Sequence, residues 1–435
     1  MKLPKLFRDN IVLKITSLNA VVISIRLVVS VFVQRFLAIS LGESGIASIG
    51  QIRNVLGMLT SFSTLGTFNG VVKYVAELRQ NKPELVKVFS TASIFLLIGS
   101  LVSAVILFFG AHQLSLFLFN SETFSYAFKL LAFVVPFLAI NRMIGGIVNG
   151  VSDYKSYAKI ELISYLIASF VLLVGLYTYN LKGVIVAIVL APIIQLLVLV
   201  LVFGKVLKTI IPFNLLKINV SYKNKLLSFT LMSFVSTFLL NYIELDIRTY
   251  IADDLGVDEA GYWTGITFIS KNYMVFASGL FTLYVLPKFA GITNEVDFKK
   301  EVANIYKTIL PIFGLGMLLV YVLRNIIIQI VYPDFTGMEP LFKWQLLGDF
   351  IRLGSLVLAH QFLAKRLVKS FIITELISMG LFLLLSKVFV QQYGTEGVVL
   401  AHFVRYVIYF VMVVVVIKMY FNNQKKEKVT NDEDL

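Results

Sequence analysis

Residues 155–184 read KSYAKIELISYLIASFVLLVGLYTYNLKGV, and residues 369–398 read KSFIITELISMGLFLLLSKVFVQQYGTEGV. Set side by side, Lys155-Ser156 lies over Lys369-Ser370, Glu161-Leu162-Ile163-Ser164 over Glu375-Leu376-Ile377-Ser378, Tyr179 over Tyr393, and Gly183-Val184 over Gly397-Val398. The offset is 214 residues throughout, and it also carries Phe128-Lys129 onto Phe342-Lys343. One register therefore covers three apolar runs and the loops between them. The second half of the chain repeats the first.

The apolar runs themselves decide the element type. The 435 residues are 58% hydrophobic and only 15% charged, with a mean hydropathy of +0.85. No water-soluble core hides that much apolar surface, so the bilayer is the solvent. In hydrocarbon every backbone N–H and C=O must be satisfied within the segment, which leaves helices or a closed barrel. A barrel would show short stretches of alternating residues, whereas ISYLIASFVLLVGLY (163–177) is unbroken. The sequence therefore predicts an all-α polytopic membrane protein. Windows near the ~20 residues a span needs fall at roughly 11–36, 45–68, 86–110, 124–148, 159–178, 183–204, 227–250, 261–286, 303–330, 341–364, 370–392 and 397–420. Each repeat then holds six spans, so both enter from the same side and the pseudo-two-fold axis lies along the membrane normal. The expected units are two six-helix lobes, 1–210 and 211–421, around a central cavity, with 422–435 a disordered cytoplasmic tail.

The net charge of +14 does not point to nucleic acid, because the basic residues sit in short connections between spans. On one side lie Lys73, Arg79, Lys82 and Lys87, then Lys155 and Lys159, then Lys365, Arg366 and Lys369; the opposite loops hold only Lys182. That asymmetry predicts cytoplasmic N- and C-termini. MKLPKLFRDNIVLKITSLN has no small-residue cleavage site and reads as a retained first span. With no cysteine there is no disulfide or thiolate chemistry. No HExxH, phosphate loop, GxGxxG after a strand or nucleophile elbow occurs, and His112, His360 and His402 are scattered, so no catalytic residue, metal or cofactor is expected. The isolated histidines read as packing or interface residues.

Charges inside spans are the informative residues, since a cation at the bilayer centre costs at least about 2.5 to 3.5 kcal/mol on insertion scales. Arg26, Arg53, Arg248, Lys271, Arg352 and Arg405 fall well inside spans, against the acids Glu244, Asp246 and Asp349, with Glu161 and Glu375 nearer the ends. A net-positive interior suits an anion such as a diphosphate and not a cationic drug. On the seventh span Thr230, Ser233, Thr237, Asn241, Glu244 and Arg248 form one polar stripe, expected to face the cavity. Asn19, Arg26 and Ser30 share a face of the first span; Arg53, Gly57, Thr60 and Thr64 share one on the second; Thr264, Lys271 and Ser278 share one on the eighth. Glu244 with Arg248, and Asp349 with Arg352, read either as cavity groups or as closed ion pairs at helical spacing. Arg26, Arg53 and Lys271 have no acid at helical spacing on their own helices. Glu161 and Glu375 hold equivalent places in the two repeats and point to lobe packing ahead of proton coupling.

Three stretches carry a family resemblance: Leu41-Gly42 to Gly45 leading through Gln51-Ile52-Arg53; Gly66-Thr67-Phe68-Asn69-Gly70-Val71-Val72-Lys73-Tyr74-Val75-Ala76; and Trp344-Gln345-Leu346-Leu347-Gly348-Asp349 with Arg352. In these the chain resembles the Wzx-type lipid-linked oligosaccharide flippases, in the superfamily that also holds the lipid II flippase and the MATE multidrug exporters. The resemblance implies a V-shaped pair of six-helix lobes and alternating access. It implies an undecaprenyl-diphosphate-linked oligosaccharide as cargo, an O-antigen or enterobacterial common antigen unit, moved to the periplasmic leaflet of the inner membrane. A polysaccharide polymerase and a chain-length regulator are the partners it implies. Cavity cations that hold a diphosphate in such proteins match Arg26, Arg53 and Lys271, the last a lysine where the pattern has arginine; the family pattern also keeps cations at Arg248 and Arg352 and acids at Asp349 and Glu375. Asn241, Glu244, Asp246 and Asp349 are the further cavity or ion-coupling candidates, and the membrane potential is the other possible drive. Two alternatives stay open. An ion-coupled small-molecule exporter of the same fold would line its cavity with acids and aromatics, and a polysaccharide polymerase would need a larger outward loop than the dozen or so residues present here.

Overall fold

The computed structural model describes residues 11–151, 153–210, 219–365 and 367–433, and every regular element among them is helical. Ile11–Phe62 is one helical run bent at Gly42 (φ 63°, ψ −167°), which divides it into spans 1 and 2. Lys82–Phe109 and Ser125–Gly150 are spans 3 and 4. Tyr154–Ile210 bends at Tyr179 and Asn180 into spans 5 and 6. Span 7 runs from Lys223 to Asp254 through a π-helical stretch, Phe234–Leu239. Span 8, Val257–Leu280, is followed by a second π-helical stretch, Phe281–Val285, and by Leu286–Gly291. Glu295–Val322, Leu341–Ala364, Val368–Tyr393 and Glu396–Glu433 are spans 9 to 12. Among the described residues helices occupy all twelve expected positions in order, and nine helical runs, two of them bent, are long and apolar enough to cross a membrane. Large apolar side chains such as Leu201 (84% exposed) and Phe109 (75% exposed) face outward on them, which water would penalise and lipid accepts. The chain is a multi-pass membrane protein.

Three boundaries differ from the sequence reading. Span 2 stops at Phe62, not near 68, because Leu65 (φ 45°) and Gly66 (φ 66°) turn the chain. The residues after that turn form a short helix, Phe68–Glu77, whose Val71, Tyr74 and Val75 are buried with Phe89, Ile147, Phe203 and Leu226 in one apolar cluster. Span 9 ends at Val322, and a separate helix, Arg324–Val331, follows. The final helix continues to Glu433, into the segment read as a disordered tail. Gln, Lys and Glu are good helix formers, and a helix already nucleated in span 12 extends at little cost.

The repeat is written in the backbone. Positive φ occurs at Gly42 and again 214 residues on at Gly256, and at Asn180 (φ 50°, ψ −136°) and again at Gly394 (φ 60°, ψ −146°). A Cβ on Gly183 would lie 2.1 Å from the Gly175 carbonyl oxygen, and one on Gly397 would lie 2.2 Å from that of Phe389. Both glycines let the second helix of each pair start against the end of the first. Span 7 departs from the two-lobe scheme. Contacts divide the chain after Thr249, not near 210, so span 7 groups with the first unit. Small residues allow this. Ser61 Oγ and Ser233 Oγ are 2.9 Å apart, and a Cβ on Gly66 would lie 2.6 Å from that of Ser233.

Asn180 occupies a backbone region open mainly to glycine, at a strain of order 1–3 kcal/mol. Asn180→Gly is expected to raise the melting temperature in detergent, and Gly394→Asn to lower it. Equal melting temperatures in the two variants would contradict the shared turn.

Candidate functional site

Each unit contains a polar network that joins several of its helices, and the two are built differently. In the first unit Arg26 projects from span 1 and meets Glu161 from span 5, Nη1 to Oε2 at 2.7 Å. The other carboxylate oxygen accepts from Gln195 Nε2 on span 6 (3.1 Å), and Gln195 Oε1 accepts from Asn141 Nδ2 on span 4 (2.7 Å). Arg26 also lies over the Tyr165 ring at 5.0 Å. The Arg26 side chain keeps 38% of its surface exposed and that of Glu161 keeps 22%, so the pair is accessible. Beside it lies a cavity of about 50 Å³ lined by Glu161, Gln195, Asn141, Arg142, Asn149 and Tyr157, among others.

The polar stripe of span 7 is not turned to open space; it forms a seam against span 2. Ser233 meets Ser61, and Gly57 abuts Asn241, whose Nδ2 donates to the Thr237 carbonyl at 2.7 Å. Arg248 is 2% exposed. The Asn54 amide, with its oxygen toward span 7, accepts from Arg248 Nη1 (2.8 Å) and from the Leu245 N–H (3.1 Å). Gln51 Nε2 donates to Thr249 Oγ1 (3.1 Å) and to the Leu118 carbonyl (3.3 Å). The physical reason is size: glycine and serine on span 2 let polar side chains of span 7 approach and exchange hydrogen bonds that hydrocarbon would deny them. Arg53, one turn from this seam, is exposed, while Glu244 and Asp246 are half-buried.

In the second unit Asp349 on span 10 is fully buried. Its Oδ2 accepts from Ser270 Oγ, Tyr273 OH and Gln345 Nε2 (3.0 Å), and its Oδ1 lies 3.1 Å from His402 Nε2 and 3.8 Å from Arg352 Nη1. The Arg352 side chain is 28% exposed, and its guanidinium lies over the Tyr406 ring at 5.6 Å. Arg405 is buried; its Nε donates to Ser378 Oγ (2.8 Å), and its guanidinium stacks on Phe382 and Tyr406. Lys271, on span 8, is exposed.

The structure thus pairs Asp349 with Arg352 as helical spacing allowed, and adds His402, which reads as a packing residue in the sequence. It also gives Arg26 an acid that no single-helix pattern could reveal, because Glu161 comes from another span. Arg142 joins the first network on the strength of the cavity alone. The side chains of Asn19 and Ser278, expected beside Arg26 and Lys271, lie outside the described residues.

The chain is 27% identical over 383 residues to the lipid III flippase of Escherichia coli (strain K12), across 87% of this chain and 91% of that protein, and matches its Shigella flexneri counterpart to the same extent. Among solved structures it resembles the lipid II flippase MurJ in an inward closed conformation, with a TM-score of 0.70 and 16% identity over 92% of this chain and 87% of that one. It also resembles an inward-facing multidrug resistance MATE transporter, with a TM-score of 0.69 and 13% identity over 92% of this chain and 96% of that one. These likenesses show that the chain shares the all-helical fold of those proteins. The profile of the polysaccharide biosynthesis protein family matches residues 47–335, and the chain belongs to that family.

Proposed function

We propose that the chain is a flippase that carries lipid-linked oligosaccharide, an O-antigen or related repeat unit on undecaprenyl diphosphate, from the cytoplasmic to the periplasmic leaflet of the bacterial inner membrane. It is a transporter and not an enzyme. The observation that carries the reading is the set of accessible cations on bilayer-length helices: Arg26 at 38% side-chain exposure, with Arg53 and Lys271 exposed. Intramembrane charges at such positions are retained for a pathway or a cargo, and these have the sign that a diphosphate needs. The relatives named lipid III flippases support the class of cargo. In this reading Arg26 and Arg53 of the first unit, and Lys271 and Arg352 of the second, are the cations that attract the diphosphate, while the prenyl tail stays in lipid. The repeats 1–210 and 211–421, with span 7 of the second carried by the first unit, alternate access, and both termini stay in the cytoplasm.

The remaining site candidates take other roles. Arg248, enclosed by Asn54 and the seam, contributes field to the pathway without touching cargo. Asp349 is engaged by donors on both oxygens and serves as the organising anion of the second unit. Glu244 and Asp246, half-buried on span 7, are the coupling candidates.

Two outcomes are expected. In a strain lacking the gene, wild type restores surface polysaccharide and clears lipid-linked units from the cytoplasmic leaflet, whereas Arg26→Ala and Arg53→Ala do not, at undiminished protein level; normal glycan with both variants would remove the cationic site. Asp349→Ala, by contrast, strands buried donors and a guanidinium and is expected to cost about 3–5 kcal/mol, read as a large drop in detergent melting temperature. Asp349→Ala with wild-type stability would contradict its organising role.

A further inference from the structure

We propose that Glu161 is a built-in occupant of the cargo site: its carboxylate holds Arg26 until the diphosphate displaces it, and Arg142 then receives the carboxylate so released. The inference rests on the reading of Arg26 given above.

The two repeats supply the argument. Glu161 and Glu375 are equivalent, and so are their partners Gln195 and Tyr409, again 214 residues apart. Gln195 donates to Glu161 Oε1, and Tyr409 OH donates to Glu375 Oε1 at 2.6 Å. The tie from span 5 to span 6, or from span 11 to span 12, is therefore common to both units and consumes one oxygen. In the first unit the second oxygen is spent on Arg26. Such an arrangement anchors the acid to its own helices while the cation it neutralises stays within reach of a competing anion. A diphosphate, with more than one negative charge and oxygens spaced for a guanidinium fork, out-competes a single carboxylate oxygen; a weak monovalent anion does not.

The displaced carboxylate would repel the arriving diphosphate unless another cation took it up. Arg142 stands across the shared cavity. Its guanidinium stacks on Phe68 at 4.3 Å, and its Nε has no hydrogen-bond partner among the described residues. The cavity of about 50 Å³ leaves room for the side chain to swing, with a few waters if required. Arg26 then holds the acid when the site is empty; when it is filled, Arg26 holds the diphosphate and Arg142 the acid. Arg26 is thus neutralised on the empty return stroke.

The test uses the full-length chain in detergent micelles, with farnesyl diphosphate as probe, farnesol as the control for tail binding, and affinity measured by titration calorimetry. Glu161→Gln is expected to bind the diphosphate about fivefold more tightly than wild type, the scale of releasing an accessible ion pair. Arg142→Gln is expected to bind it more weakly. Damage to the fold would weaken binding in both, so a gain in Glu161→Gln is specific. Glu161→Asp, which keeps the charge but falls short of Arg26, should also gain and serves if the glutamine variant does not fold. Binding that depends on Arg26 yet is unchanged or weaker in the Glu161 variants overturns this inference alone. Binding that is indifferent to Arg26→Ala overturns the placement of the diphosphate itself, and the inference with it.

Discussion

An ionised side chain inside a bilayer-length helix must be met by an opposite charge, a set of hydrogen bonds or water, because hydrocarbon supplies none of these. That constraint explains most of the polar architecture of this chain. Asp349 satisfies it with donors from its own helix and from spans 8 and 12. Arg405 does so with a serine and two aromatic faces, and Arg248 with an asparagine amide in a seam of small residues. Arg26 is different, since its pairing with Glu161 leaves the side chain well exposed. A structural ion pair gains from being closed; this one is open, as an exchangeable pair should be.

The duplication shows how such a difference arises. Both repeats keep the same turn between their last two helices, the same close glycine contact and the same acid tied to the neighbouring helix. What diverged is the partner of the second carboxylate oxygen and the surroundings of the pair. The second unit gathered its polar side chains around Asp349, one helix earlier, and the first around Glu161. Pseudo-symmetry in the backbone thus supports two networks of different composition.

Much of the fold was legible in the chain because hydropathy, length and repeat register report local facts. Span number, order and the 214-residue offset all follow from them, and the turns at Gly42, Asn180, Gly256 and Gly394 fall where the spans were divided. The grouping of span 7 was not legible. Its polar stripe announced a face, but periodicity names the face and not the neighbour, and glycine and serine on span 2 are what drew it there. The same limit hid Glu161 behind Arg26 and His402 behind Asp349: their spacing in sequence, 135 and 53 residues, carries no helical signal. The π-helical stretches within span 7 and after span 8 likewise left no mark in composition.

Movement of a lipid-linked glycan across a bilayer is the activity on which the proposed roles of these cations depend. The most direct measurement places purified protein in liposomes loaded with a fluorescent prenyl-diphosphate-linked oligosaccharide and follows its accessibility to an impermeant glycosidase added outside. Wild type is expected to bring nearly all of the glycan within reach of the enzyme, while protein-free liposomes and Arg53→Ala protein protect the inner half. Protection of the inner half in the presence of folded wild-type protein would contradict it.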